Sequence, residues 1–256
     1  MKKNYFILVL FLILLSCNNS DNSPCDNYKW SFHGDTGPDT WSICYSQCDG
    51  KMQSPIDISN PIEDEKLNAI DFNYSPSQIL LENTGNYLVF NYMEGSYILL
   101  DSIQYDLVQF HTHMKSDHTV DSKSFPMEIH LVHQNEETEE LAVVALFVEV
   151  GEPNPVLETF INDLPKSEGG TFHSETEINA IDLLPESPNY YFYNGSLTSP
   201  PCTEGVLWNV MLETIQASQD QMDKYYEILK NNERPVQPIN GRKVYLYKER
   251  QSLAQR

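Results

Sequence analysis

Between residues 80 and 148 the chain runs in short apolar stretches, and most of them keep a two-residue period. Leu80–Leu81, Tyr87–Tyr92, Tyr97–Leu100, Leu107–His113, Met127–His133 and Leu141–Val148 each read as a strand. The links between them are acidic or contain glycine, as at Glu136–Glu140, and mark turns. Two segments carry helical spacing instead, Asn154–Asn162 and Ser218–Lys230. In the second, Ser218 stands where a cap is expected, and Met222, Tyr225, Tyr226 and Leu229 form one stripe suited to core packing. Trp30–Trp41 holds Gly34, Gly37 and Pro38, which predicts turns and loop rather than regular structure. The pattern is that of a β-dominated α+β fold, one domain over residues 28–250 followed by a short tail at 251–256.

Charge narrows the possible partners. A formal charge of −21, with the few Lys and Arg scattered, excludes nucleic acid, because phosphate binding needs clustered cations. The first residues change the picture further. Met1, Lys2 and Lys3 precede an apolar run from Tyr5 to Leu15 and then Ser16 and Cys17, the layout of an export signal. The run is shorter than the roughly 20 residues a membrane span needs. Leu14-Leu15-Ser16-Cys17 resembles a bacterial lipobox, so residues 1–16 are expected to be removed and Cys17 lipidated, an ordinary secretory signal being the alternative. Residues 17–27 then form a polar tether, and the chain is exported, anchored at the periplasm or cell surface through Cys17 alone. Cys25, Cys44, Cys48 and Cys202 remain, an even number that predicts two disulfides in an exported chain. Spacing alone does not choose among their three pairings.

Candidate chemistry lies in Gln109-Phe110-His111-Thr112-His113, where strand period places both histidines on one face. A third, His130, lies in the strand Glu128–His133, which as a neighbouring strand can present its ring nitrogen on that same face. Three neutral imidazoles leave zinc its full charge and an open fourth position, the arrangement that lowers a bound water's pKa to about 7. H-x-H also arises by chance, and a single histidine is commonly just a satisfied polar residue. Gln109 and Glu128 strengthen the metal reading, since each lies two residues before a proposed ligand and can accept its free ring N–H. Asn194–Cys202 reads as a rigid, proline-held loop that brings hydroxyls to such a metal.

Several blocks occur in an order that resembles the alpha class of carbonic anhydrases over residues 28–248. They are Trp30–Trp41, Gln53–Ile58, Gln109–His113, Asp117–Val120, Glu128–His133, Gly195–Pro201 and Arg234–Pro238. The resemblance implies a single domain with a large, mostly antiparallel, twisted central sheet, a few short peripheral helices, and zinc at the bottom of a conical cleft. It implies zinc ligation by His111, His113 and His130, with the backbone carbonyl of Asn232 orienting His113. Thr198 matches the threonine that accepts a hydrogen bond from zinc-bound hydroxide and donates in turn to a buried carboxylate, here Asp117. Val132, Val143, Leu197, Val206 and Trp208 match the apolar wall where carbon dioxide rests, with Ser199 completing the pocket. A Cys48–Cys202 disulfide is implied as a brace for the threonine loop, which leaves Cys25 with Cys44.

The implied reaction is reversible hydration of carbon dioxide by zinc-bound hydroxide to bicarbonate and a proton, inhibited by sulfonamides and small anions. Three departures qualify it. Asp117 stands where the family usually has glutamate, Asn86 where efficient members have a proton-shuttling histidine, and Phe32 and Val89 where a tyrosine and an amide are usual. Asparagine does not titrate, so turnover limited by proton release is expected. Two other readings compete: a zinc-bearing but idle surface-binding domain, and a zinc esterase, the latter lacking an H-E-x-x-H helix.

Overall fold

The computed structural model describes residues 25–250. The expected signal peptide, Cys17, the tether's first residues and the tail at 251–256 lie outside the described residues. Fifteen strands are described: β1 (Asp57–Ile58), β2 (Ile62–Glu63), β3 (Asp71–Asn73), β4 (Ser77–Asn83), β5 (Leu88–Asn91), β6 (Tyr97–Leu100), β7 (Ile103–Met114), β8 (Thr119–Val120), β9 (Met127–Gln134), β10 (Leu141–Val150), β11 (Thr171–Ile178), β12 (Tyr190–Ser196), β13 (Glu204–Met211), β14 (Ile215–Ala217) and β15 (Tyr245–Tyr247). Two α-helices accompany them, α1 (Pro155–Glu158) and α2 (Gln219–Leu229).

Thirteen strands make one sheet, whose main path runs β11-β4-β5-β7-β9-β10-β13-β12-β15-β2. Most neighbours are antiparallel; β10 pairs parallel with β13 and β14, and β15 with β2. The long central strands are buried on both faces, which explains the nearly unbroken apolar run of β10. Alternation then divides the interior in two. Met127, Ile129 and Leu131 of β9 and Ala142, Val144 and Leu146 of β10 join a core with Met222, Tyr225 and Leu229 of α2. On the opposite face Val143, Ala145 and Phe147 pack with Tyr193, Trp208 and Val210, and this second cluster floors the histidine face.

Several expectations are corrected. The helix foreseen at Asn154–Asn162 shrinks to α1, capped by the Asn154 side chain, because Asn162, Asp163 and Pro165 disfavour helix and the chain turns to bury Phe160 and Ile161. Tyr226 leaves the α2 stripe and is 47% exposed, since the contact surface is narrower than the apolar pattern. Trp30–Trp41 contains two short 3-10 helices, Gly34–Thr36 and Pro38–Ile43, the second started by Pro38 at its first position. Asn194–Ser196, read as loop, ends β12 by pairing with β13. The edge strand β11 had no apolar alternation to reveal it, being mostly exposed.

His133 faces the helix side, fully buried. Its Nδ1 donates to Ala142 O at 3.3 Å, so Nε2 accepts from the Tyr74 hydroxyl at 2.7 Å, with the two rings stacked. Burial pushes its pKa down to about 3. A group depressed in this way gives stability that is complete above about pH 6.5 and is lost as pH falls toward 3, because only the unfolded chain takes up the proton. A His133→Gln variant is therefore expected to be less stable at pH 7, with its deficit against wild type narrowing by about 2 kcal/mol between pH 7 and 5 in urea titrations. A deficit independent of pH would show that His133 protonates inside the fold.

Candidate metal centre

Register assembles the site. His111 on β7 sits opposite His130 on β9, His113 opposite Glu128, and Val89 on β5 opposite His111. The three histidine rings lie 4.5 to 5.3 Å apart by centroid, and one ring nitrogen of each falls within 4.8 Å of the others, close enough for a single ion. The second nitrogen of every ring is already held. His111 Nδ1 donates to Gln109 Oε1 at 3.0 Å, His113 Nδ1 to Asn232 O at 2.9 Å, and His130 Nε2 to Glu128 Oε1 at 2.7 Å. These acceptors fix the tautomers and leave His111 Nε2, His113 Nε2 and His130 Nδ1 for a metal. His113 Nε2 is buried with no hydrogen-bond partner, the condition a missing ion would relieve. Burial, reinforced for His111 by its like neighbours, holds the His111 and His113 pKa values below the usual imidazole range, so both are neutral ligands.

Glu128 supports more than His130. Its carboxylate also accepts from His118 Nδ1 at 2.7 Å and from the His118 backbone N–H at 2.8 Å. Burial opposes its charge, yet the His118 and His130 rings hold it well below the usual carboxylate range. His118, Glu128 and His130 thus form a second cluster of metal-binding residue types, but their facing atoms are committed to one another. From His118 the chain of bonds continues: Nε2 accepts from the Tyr193 hydroxyl at 2.6 Å, which meets Ser54 Oγ at 2.8 Å, which accepts the Ser196 N–H at 3.0 Å. Gly195 is required here, since a Cβ would stand 2.1 Å from Ser54 Oγ.

The Thr198 loop follows directly. Leu197 N–H donates to Thr203 O and Cys202 N–H to Ser199 O, closing the turn. Cys48–Cys202 and Cys25–Cys44 are both bonded. Gln53 Nε2 donates to Cys202 O, and buried Arg234 donates to Gln53 Oε1, Ser54 O and Cys48 O. Trp208 Nε1 donates to Ser196 O, and its ring lies 4.9 Å from that of His130. Val132, Val143 and Trp208 follow one another across β9, β10 and β13, and Val206 and Leu197 pack in the same cluster.

Asp117 is where position and expectation part. Its Oδ1 accepts the Arg234 backbone N–H at 2.7 Å and lies 3.4 Å from His113 Nδ1, while Oδ2 is buried without a partner. The expected bond from Thr198 is not made. Asn86 is held at its turn: its Nδ2 donates to Trp30 O at 3.3 Å, and its backbone carbonyl accepts from Asn232 Nδ2 at 3.1 Å. The sequence blocks contained Ser54, His118 and Arg234 without giving them a role, and they left out Tyr193, whose partners His118 and Ser54 are 75 and 139 residues away.

Comparison with known proteins agrees with this geometry. The family model for eukaryotic-type carbonic anhydrase matches residues 36–248. A carbonic anhydrase of Neisseria gonorrhoeae is 37% identical over 91% of this chain and 94% of its own length. One from Nostoc is 37% identical, covering 84% and 85%. The alpha-carbonic anhydrase of Thermovibrio ammonificans, solved with the inhibitor sulfanilamide, superposes with a TM-score of 0.82 at 36% identity, over 85% of this chain and 99% of that one. The protein belongs to the alpha-class carbonic anhydrase family of zinc enzymes, which hydrate carbon dioxide.

Because Glu128 fixes both His118 and His130, Glu128→Gln is expected to lower zinc affinity about 10- to 100-fold, measured by metal-competition titration. Unchanged affinity would assign the carboxylate to folding alone.

Proposed function

We propose that His111 Nε2, His113 Nε2 and His130 Nδ1 hold zinc and that the chain catalyses reversible hydration of carbon dioxide to bicarbonate and a proton. One observation carries the reading: three converging ring nitrogens, each on an imidazole whose other nitrogen is anchored by a separate acceptor. When bound, zinc supplies an acidified water as nucleophile and a Lewis acid for the charge that develops. Val132, Val143, Leu197, Val206 and Trp208 hold apolar carbon dioxide without competing hydrogen bonds, and Ser199 borders that pocket. Thr198, 5% exposed on its braced loop, orients the attacking oxygen through its hydroxyl. Asp117 serves it through a bridging water, the unpartnered Oδ2 being the acceptor that remains.

Proton release limits turnover. Asn86 does not titrate, and the wall near it includes Phe32, Tyr87 and Val89, which offer water few anchors. Sulfonamides and small anions are expected inhibitors of this chain, as sulfanilamide is of the Thermovibrio ammonificans relative. Export as a lipoprotein through Cys17 is part of the proposal; the two disulfides support an oxidising compartment.

Stopped-flow hydration assays on zinc-analysed protein test the whole reading. Maximal rate is expected to rise with imidazole concentration, while kcat/KM stays constant. Asn86→His is expected to raise the maximal rate at low buffer and to leave kcat/KM nearly unchanged. Asp117→Asn is expected to lower kcat/KM about ten-fold or more, since an amide cannot replace the carboxylate as acceptor in both directions. Zinc-replete protein with no hydration activity at high buffer would overturn the assignment, and a rate blind to buffer would overturn its proton-release part.

A further inference from the structure

Tyr87 stands against the metal site although no motif pointed to it. It closes a tight turn in which Thr84 N–H donates to Tyr87 O at 2.9 Å and Tyr87 N–H to Thr84 Oγ1 at 3.1 Å. The turn directs its ring at two of the three histidines, 4.7 Å from the His111 centroid and 5.4 Å from that of His113. Phe32 and Trp30 back it at 5.7 and 6.2 Å. His130 receives its packing from Trp208 and His118 instead. The two walls of the cleft therefore hold different ligands.

We propose that Tyr87 is a positioning residue whose ring clamps His111 and His113 in metal-binding orientation. The inference rests on zinc ligation by the three histidines. Half-buried His111 has only a neutral amide, Gln109, to fix its other nitrogen, so a ring filling the space beside it restricts its swing.

The test uses zinc-loaded wild type, Tyr87→Phe and Tyr87→Ala, with zinc release to excess chromogenic chelator as the readout. Tyr87→Ala is expected to release zinc about ten-fold faster or more. Tyr87→Phe, which keeps the ring, is expected to release zinc within about two-fold of wild type. Should the alanine variant fail to fold, Tyr87→Leu, which keeps volume without an aromatic face, carries the same expectation. Wild-type release from the alanine or leucine variant, or alanine-like release from Tyr87→Phe, overturns the clamp. A wild-type chain that retains no stoichiometric zinc overturns the metal reading, and this proposal with it.

Discussion

A single buried carboxylate organises this protein. Glu128 is fully buried at the centre of a thirteen-stranded sheet, where an unpaired charge would cost several kcal/mol. Three donors on His118 and His130 satisfy it, and each draws in further structure. Through His130 it sets the orientation of one ring of the metal centre. Through His118, Tyr193, Ser54 and Ser196 it reaches the strand end from which the Thr198 loop departs. The histidine cluster and the Thr198 loop are thereby built on one continuous network rather than on two independent parts.

A second support comes from the other side of the loop. Arg234 donates its backbone N–H to Asp117 and its guanidinium to Gln53, Ser54 and Cys48, while Cys48 is bonded to Cys202. Asp117, the disulfide and the Thr198 turn are thus tied to one buried cation, which stacks over Trp41 at 5.5 Å. The cleft between these supports is asymmetric in an unusual way. One wall is aliphatic and Trp208; the other, where titrating and amide groups would order water, is Phe32, Tyr87 and Val89. Such a cleft suits an apolar substrate, and the proposed limit on proton release rests on the same low polarity.

The sequence by itself determined the β-dominated class, the long central strands and the three histidines with two of their partners. Those features are local: period two places Gln109 with His111 and His113, and Glu128 with His130, whatever the surroundings. The four cysteines announced two bonds, but only the ordered family blocks suggested which. The tertiary structure decided the rest, because the interactions join residues far apart in sequence. Register brought Val89, His111 and His130 into one row; the fold turned Asn86 toward Trp30 and placed Tyr87 on two imidazoles. It also left Asp117 Oδ2 buried without a partner, which no local pattern announces. Periodicity specifies which face a side chain takes; only packing specifies what it meets there.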